Sequence, residues 1–268
     1  MNWLNFRQAG QAMTQEAMTM DDMEMEENIE SKPTNKSETI SSTVLPGPGS
    51  GLGAGADLNI QDWGLVDYSD GLQRQLDLVD LVAQELARET VVFCSHPPVV
   101  TLGRATREGD VFAWKGETVE VNRGGRATYH GPSQVVVYPI LDLNHRGRDL
   151  HKYMRSLEEA IVLTLAGFGI ASSGRSPQIQ DGDVEAVEAT GVWVGSRKIA
   201  SIGIGVRKWI TFHGLALNVD ADEQAFAGMK PCGFMRETMV SMEELLGGRV
   251  DHEQVKASLK KHLVERLG

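Results

Sequence analysis

From Asp70 to about Arg88 apolar residues recur at helical spacing, at Leu72, Leu76, Val79, Val82 and Leu86, and the pattern predicts an amphipathic helix. Val91 to Cys94 reads as a short strand running into Ser95-His96-Pro97-Pro98, where the prolines end regular pairing. Val119 to Asn122 is a second short strand before a glycine-rich turn, and the apolar, β-branched run Gln134 to Leu143 predicts a buried strand. Asp149 to Phe168 carries Leu150, Met154, Leu157, Ile161, Leu165 and Phe168 on one face of a predicted helix. Val192 to Val219 reads as three strands with tight turns at Gly195-Ser196 and around Lys208. Ser241-Met242-Glu243-Glu244 has a capping-box pattern, and a last helix from about His252 carries Val255, Leu259 and Leu263. This order predicts an α+β chain, or a mixed sheet with helices on one face.

Residues 1–57 show no such periodicity. They hold an acidic run, a Ser/Thr/Lys stretch and then Pro-Gly-Pro-Gly-Ser-Gly-Leu-Gly-Ala-Gly-Ala-Asp, which is linker composition. A disordered N-terminal tail and linker are expected there, with a folded domain over 58–268. The tail has three basic and nine acidic side chains, so it carries −6 of the net charge of −11. The remaining −5 argues against nonspecific nucleic-acid binding. Composition is that of a soluble globular protein, 41% hydrophobic and 24% charged. No stretch approaches the roughly 18–20 apolar residues that span a bilayer. The first 30 residues have no apolar signal core, and Arg7 is the only basic residue before Lys32. A cytoplasmic protein without membrane partners is expected.

Four segments hold candidate chemistry. In the first, Arg123-Gly124-Gly125-Arg126-Ala127-Thr128-Tyr129-His130-Gly131-Pro132 follows a strand with paired glycines and crowded polar residues. Paired glycines let a backbone approach a ligand closely, although a turn with incidental polarity would look the same. Lys198 lies within the apolar run Lys198-Ile199-Ala200-Ser201-Ile202-Gly203. It must snorkel, face solvent or be held buried for a reason. His213, before Gly214-Leu215-Ala216, is either an acid-base or orienting group or a satisfied structural histidine. Lys230-Pro231-Cys232-Gly233 sets a thiol on a tight turn. No second cysteine or paired histidine lies nearby in sequence, so a zinc site is poorly supported. Cys94 sits in an apolar strand and reads as core.

Taken in order, these blocks, with His96-Pro97-Pro98, Thr101-Leu102-Gly103 and Gly191-Val192-Trp193, resemble the lipoyl(octanoyl) transferase family over about residues 62–247. The resemblance implies an α/β fold similar to the catalytic domain of biotin protein ligases and lipoate ligases, with a main mixed sheet, a smaller sheet and surrounding helices. It implies that Cys232 is the nucleophile that becomes an acyl thioester and that Lys198 activates it. It implies acyl-substrate contacts from Arg123, Gly124, Gly125, Arg126, Ala127, Thr128, Tyr129 and His130, from Ser201, Ile202 and Gly203, and from Gly214, Leu215 and Ala216. Ser133 departs from a common glycine and Phe234 from a common branched aliphatic residue.

The implied reaction moves an octanoyl group from octanoyl-acyl carrier protein to the lysine of a lipoyl domain, in 2-oxoacid dehydrogenases and the glycine cleavage H protein. ATP is not expected, because thioester to amide is downhill, and no metal is expected either. Lys198 would favour the thiolate by charge or take its proton as a neutral amine. Backbone N–H groups around Gly124-Gly125 or near Cys232 are expected to stabilise the oxyanion. Ile202, Leu215 and Ala216 are expected to line an apolar slot for the chain. Two rivals remain from sequence: an ATP-dependent lipoate or biotin ligase, and a catalytically silent module that docks on lipoyl domains or acyl carrier protein.

Overall fold

A computed structural model describes residues 58–175 and 190–268. The expected tail lies outside the described residues. Among the described residues, ten strands form two sheets. They are β1 (Asn59–Leu65), β2 (Thr90–Ser95), β3 (Val99–Leu102), β4 (Glu117–Glu120), β5 (Thr128–His130), β6 (Gln134–Ile140), β7 (Ser173–Gly174), β8 (Gly191–Val194), β9 (Arg197–Arg207) and β10 (Ile210–Asn218). The larger sheet runs β1-β2-β6-β10-β9-β8-β7, and the smaller runs β4-β3-β5. Each contains one parallel pair, β1 with β2 and β3 with β4, and is otherwise antiparallel. The chain is therefore mixed α/β, as the sequence implied.

Alternation along β6 and β10 decides where the core sits. Val135, Val137, Leu215 and Leu217 pack on one face with α2 (Leu150–Gly167) and α4 (His252–Leu267). Val136, Tyr138, Phe212 and Ala216 pack on the other with α1 (Tyr68–Ala83). Strands buried on both faces read as continuous apolar runs, which is why β6 and β10 are visible in sequence. The same fact corrects the expectation of helices on one face, since α1 covers the opposite side.

Element ends moved where tertiary contacts decide them. The first helix stops at Ala83, because Leu86 N–H and Ala87 N–H both return to the Leu81 carbonyl. Leu86 is left 70% exposed rather than on the buried face. The strand expected over Val119–Asn122 lies at Glu117–Glu120, where β3 supplies its pairing. β6 ends at Ile140, short of the expected Leu143, because Asp142 accepts from Asn144 N–H and turns the chain into a 3-10 segment. The capping box forms as read, with Ser241 and Glu244 bonding reciprocally at the start of α3 (Met242–Leu246).

Candidate active site

A β-bulge builds the first half of the site. β8 and β9 pair Trp193 with Lys198 but Val192 with Ala200, so Ile199 is one residue in excess. On a regular strand Lys198 and Ser201, three apart, would face opposite sides. The extra residue resets the alternation. Ile199 and Ala200 both enter the core, while Lys198 and Ser201 both face one cavity. Lys198 is only 1% exposed, which excludes the solvated-face reading. Its ammonium sits 5.6 Å from the Trp193 ring centre and 5.7 Å from that of Phe234.

The second half is the 3-10 turn Pro231–Gly233. Cys232 holds the left-handed conformation, φ 52°, which a non-glycine residue keeps only when its surroundings enforce it. Here Cys232 N–H donates to the Ala127 carbonyl at 2.8 Å, and Lys230 N–H to that of Asp110 at 2.7 Å. The Arg126 guanidinium, bonded to buried Asp110, lies against Gly233 where a β-carbon would stand 2.3 Å away. The half-buried thiol is thus presented to Ser201, 3.7 Å from its hydroxyl. Burial opposes ionisation of this thiol. The Lys198 charge, a Ser201 hydrogen bond, the Arg123 charge and a Lys198 hydrogen bond outweigh that burial and hold its pKa below the ordinary value.

A cavity opens in front of Cys232. Cys232, Lys198, Arg123, Gly125, Arg126, Thr128, His130, Ser201, Ile202, Gly203, Gly214, Leu215 and Ala216 border it. Sixteen residues were expected at the site, so three fall outside. Tyr129 points away because Thr128 and His130 alternate with it along β5. Its ring packs on Trp114 and Phe226, and its hydroxyl reaches Asp222. Ala127 is buried with Tyr129, and its carbonyl holds Cys232. Gly124 donates to the Ile204 carbonyl at 2.9 Å and ties the glycine loop to the main sheet.

Two chemical expectations also change. Ile202 and Leu215 border the cavity, but their side chains pack in the core on the sheet's far face. The floor there is Ala216 with the backbone of Gly203 and Gly214. The expectation of backbone donors to an oxyanion narrows, because the N–H groups of Gly124, Cys232 and Gly233 already donate to protein carbonyls.

Sequence reading missed Tyr68, Tyr138 and Thr190, which also border the cavity. Tyr68 opens α1 and Tyr138 lies in a strand that reads as core, so neither stands in a polar motif. His213 was noticed and is placed here, with Nδ1 3.4 Å from the Tyr68 hydroxyl.

Residues 67–264 match the family model for the lipoyl protein ligase A/B catalytic domain. The chain is 52% identical over 218 residues to an octanoyltransferase of Bdellovibrio bacteriovorus, covering 79% of this chain and all of that one. The chain belongs to the octanoyltransferase family. A second octanoyltransferase, from Geotalea uraniireducens, is 42% identical over 75% of this chain and 88% of its own. Among solved structures, lipoate-protein ligase A bound with ATP superposes with TM-score 0.59 at 18% identity, covering 79% of this chain and 86% of that one. The bipartite lipoate protein ligase of Thermoplasma acidophilum, solved with its E2 lipoyl domain, gives 0.56 at 15% identity, covering 79% and 84%. These two likenesses show the fold that octanoyltransferases share with the ligases.

Proposed function

We propose that this octanoyltransferase moves an octanoyl group from octanoyl-acyl carrier protein to Cys232, and from that thioester to the ε-amine of a lipoyl-domain lysine. The observation that carries the reading is a half-buried thiol held below its ordinary pKa beside a fully buried lysine, with both residues bordering one cavity. In the first step the Cys232 thiolate attacks the donor's carbonyl, the carbon–sulfur bond to the carrier breaks, and the carrier leaves as a thiol with the proton of the Lys198 ammonium, which becomes the neutral amine. Lys198 and the Ser201 hydroxyl are the nearest groups to offset the charge that develops on oxygen. In the second step the acceptor amine displaces Cys232, which leaves as the thiolate, and the neutral Lys198 amine takes up the acceptor's proton and becomes the ammonium again. Thioester to amide runs downhill, so the reading needs no ATP. Arg123, Gly125, Arg126, Thr128 and His130 form the roof over the acyl chain, and Gly203, Gly214 and Ala216 form its floor. The proposed setting is the cytoplasm; among the described residues no helix is long and apolar enough to cross a membrane.

The ligase reading draws on the shared fold, but adenylating a free acid makes no use of an activated thiol. Intact-protein mass spectrometry with octanoyl-acyl carrier protein tests the proposal. A hydroxylamine-sensitive octanoyl adduct on the wild type, lost in Cys232→Ser, is expected. No adduct and no transfer without ATP would move the assignment to a ligase.

A further inference from the structure

The strand register measures the cavity. Ser201, beside the Cys232 thiol, pairs across with Ala216; Gly203 pairs with Gly214; Ile204 pairs with His213. The step from the Ser201 pair to the His213 pair is three residues, roughly 10 Å at about 3.3 Å per residue. An extended eight-carbon acyl chain has seven carbon–carbon bonds of about 1.5 Å, zigzagged to roughly 9 Å. The two lengths agree.

What lies at the far end is a wall. Tyr68 is buried at the first turn of α1 and borders the cavity. Its ring stacks on His130 at 5.8 Å and meets His96 edge-on at 5.1 Å, so three rings hold one another in place. Its hydroxyl meets His213 Nδ1, and His213 N–H is itself fixed by Gln75 Oε1 at 2.8 Å. Midway along, the absence of a side chain keeps the path clear. A β-carbon at Gly203 would stand 3.2 Å from both the Arg123 side chain and the Gly124 carbonyl, closing floor against roof.

We propose that the Tyr68–His213 pair is the chain-length stop of the acyl slot, and that Gly203 keeps the slot open between that stop and Cys232. The inference rests on the transfer reading above and adds to it the residues that select an eight-carbon chain. A longer chain meets the Tyr68 ring. A shorter one buries fewer methylenes and forgoes their apolar contribution to binding.

The test is acylation of Cys232 by a series of acyl-carrier-protein thioesters of six to fourteen carbons, read by intact mass. Wild type is expected to favour eight carbons. Tyr68→Ala is expected to raise twelve-carbon relative to eight-carbon acylation roughly tenfold or more, the discrimination that pocket methylenes give. Tyr68→Phe, which keeps the ring, should retain the wild-type profile. Gly203→Ala should depress acylation by eight carbons more than by six. Tyr68→Leu, also shorter than the ring, replaces Tyr68→Ala if thermal melting shows that variant unfolded. A folded Tyr68→Ala or Tyr68→Leu with an unchanged profile overturns the stop, as does a wild type indifferent to length. If no donor acylates wild-type Cys232 at all, the transfer reading itself fails, and that result is distinct from an unchanged profile.

Discussion

The two ends of the cavity are electrostatically opposite. At the inner end, burial dominates and drives titratable groups towards neutrality. It pushes His213 down to about 3, with the Arg123 charge adding to the effect, and Tyr68 up to about 12. His130 falls well below the histidine range through burial and through His96, Arg123 and His213, against a Gln134 hydrogen bond. At the reacting end burial acts in the same sense on Cys232 and loses, because Lys198, Ser201 and Arg123 favour the thiolate. Each region holds one of the chain's two cysteines. Cys94, near the inner end, is raised above the usual thiol value by burial, while Cys232 is lowered. Enclosure alone therefore silences a thiol, and a buried cation within reach reverses its sign.

Removing that cation is the strongest way to break the contrast. Lys198→Met should leave the fold intact, because it keeps an unbranched apolar side chain of similar length beside the Trp193 and Phe234 rings. Acylation should slow by about 10²–10⁴-fold, the range of a lost acid-base partner. The pH at which Cys232 alkylates should move upward, since the depressed value depends on the Lys198 charge. Near-normal acylation by a folded variant would remove Lys198 from the mechanism. A smaller loss is expected from Gly233→Ala. Its φ of 85° and the Arg126 guanidinium both oppose a β-carbon. Displacing the turn should lower acylation about tenfold and stability by about 1–3 kcal/mol. Wild-type kinetics in that variant would show that the turn's geometry is not what presents the thiol.

The two ends also differ in how far the sequence discloses them. Pro231-Cys232-Gly233, Lys198 and the Arg123 loop stand out because their polar residues interrupt apolar runs or flank turns. The inner wall does not stand out. Tyr68 opens an amphipathic helix and Tyr138 sits within a buried strand, and both look like core until β6, β10 and α1 meet. The large helices and central strands were legible because burial imposes period on them. β3 and β5 were not, since three or four residues paired to distant partners leave no periodic trace. The bulge at Ile199 is the least legible feature of all. A regular alternation would have sent Lys198 and Ser201 to opposite faces, and only the pairing with β8 shows otherwise.

The neutral inner end makes a prediction about stability. His213, His130 and His96 all have folded pKa values below the usual 6.5, with burial the leading cause. The unfolded chain therefore binds protons below about pH 6.5 that the native state refuses, down to about 3 for His213. The histidines' contribution to stability should fall as pH drops through that window and stay flat above it, at about 1.4 kcal/mol per pH unit for each histidine. Thermal melting against pH measures the slope. His213→Asn should flatten it by one proton's share, and an unchanged slope would mean that His213 accepts a proton in the folded state.

The smallest effect sharpens the comparison most. Cys94 lies in β2, with its sulfur 3.5 Å from His96 Nε2. That nitrogen cannot serve as a base for the thiol, because the Val66 carbonyl takes the Nδ1 proton at 2.7 Å and the Tyr138 hydroxyl donates to Nε2 at 2.8 Å. A cysteine beside a histidine is the usual sign of a nucleophile, yet here the histidine is occupied and the thiol is buried. Cys94→Ala should change the acylation rate by less than about twofold and cost about 1 kcal/mol in stability, the loss of one small buried group. Native protein treated with iodoacetamide should carry one label, on Cys232. A second label on Cys94 in the folded state, or a large rate loss in Cys94→Ala, would show that enclosure at the inner end does not silence that thiol.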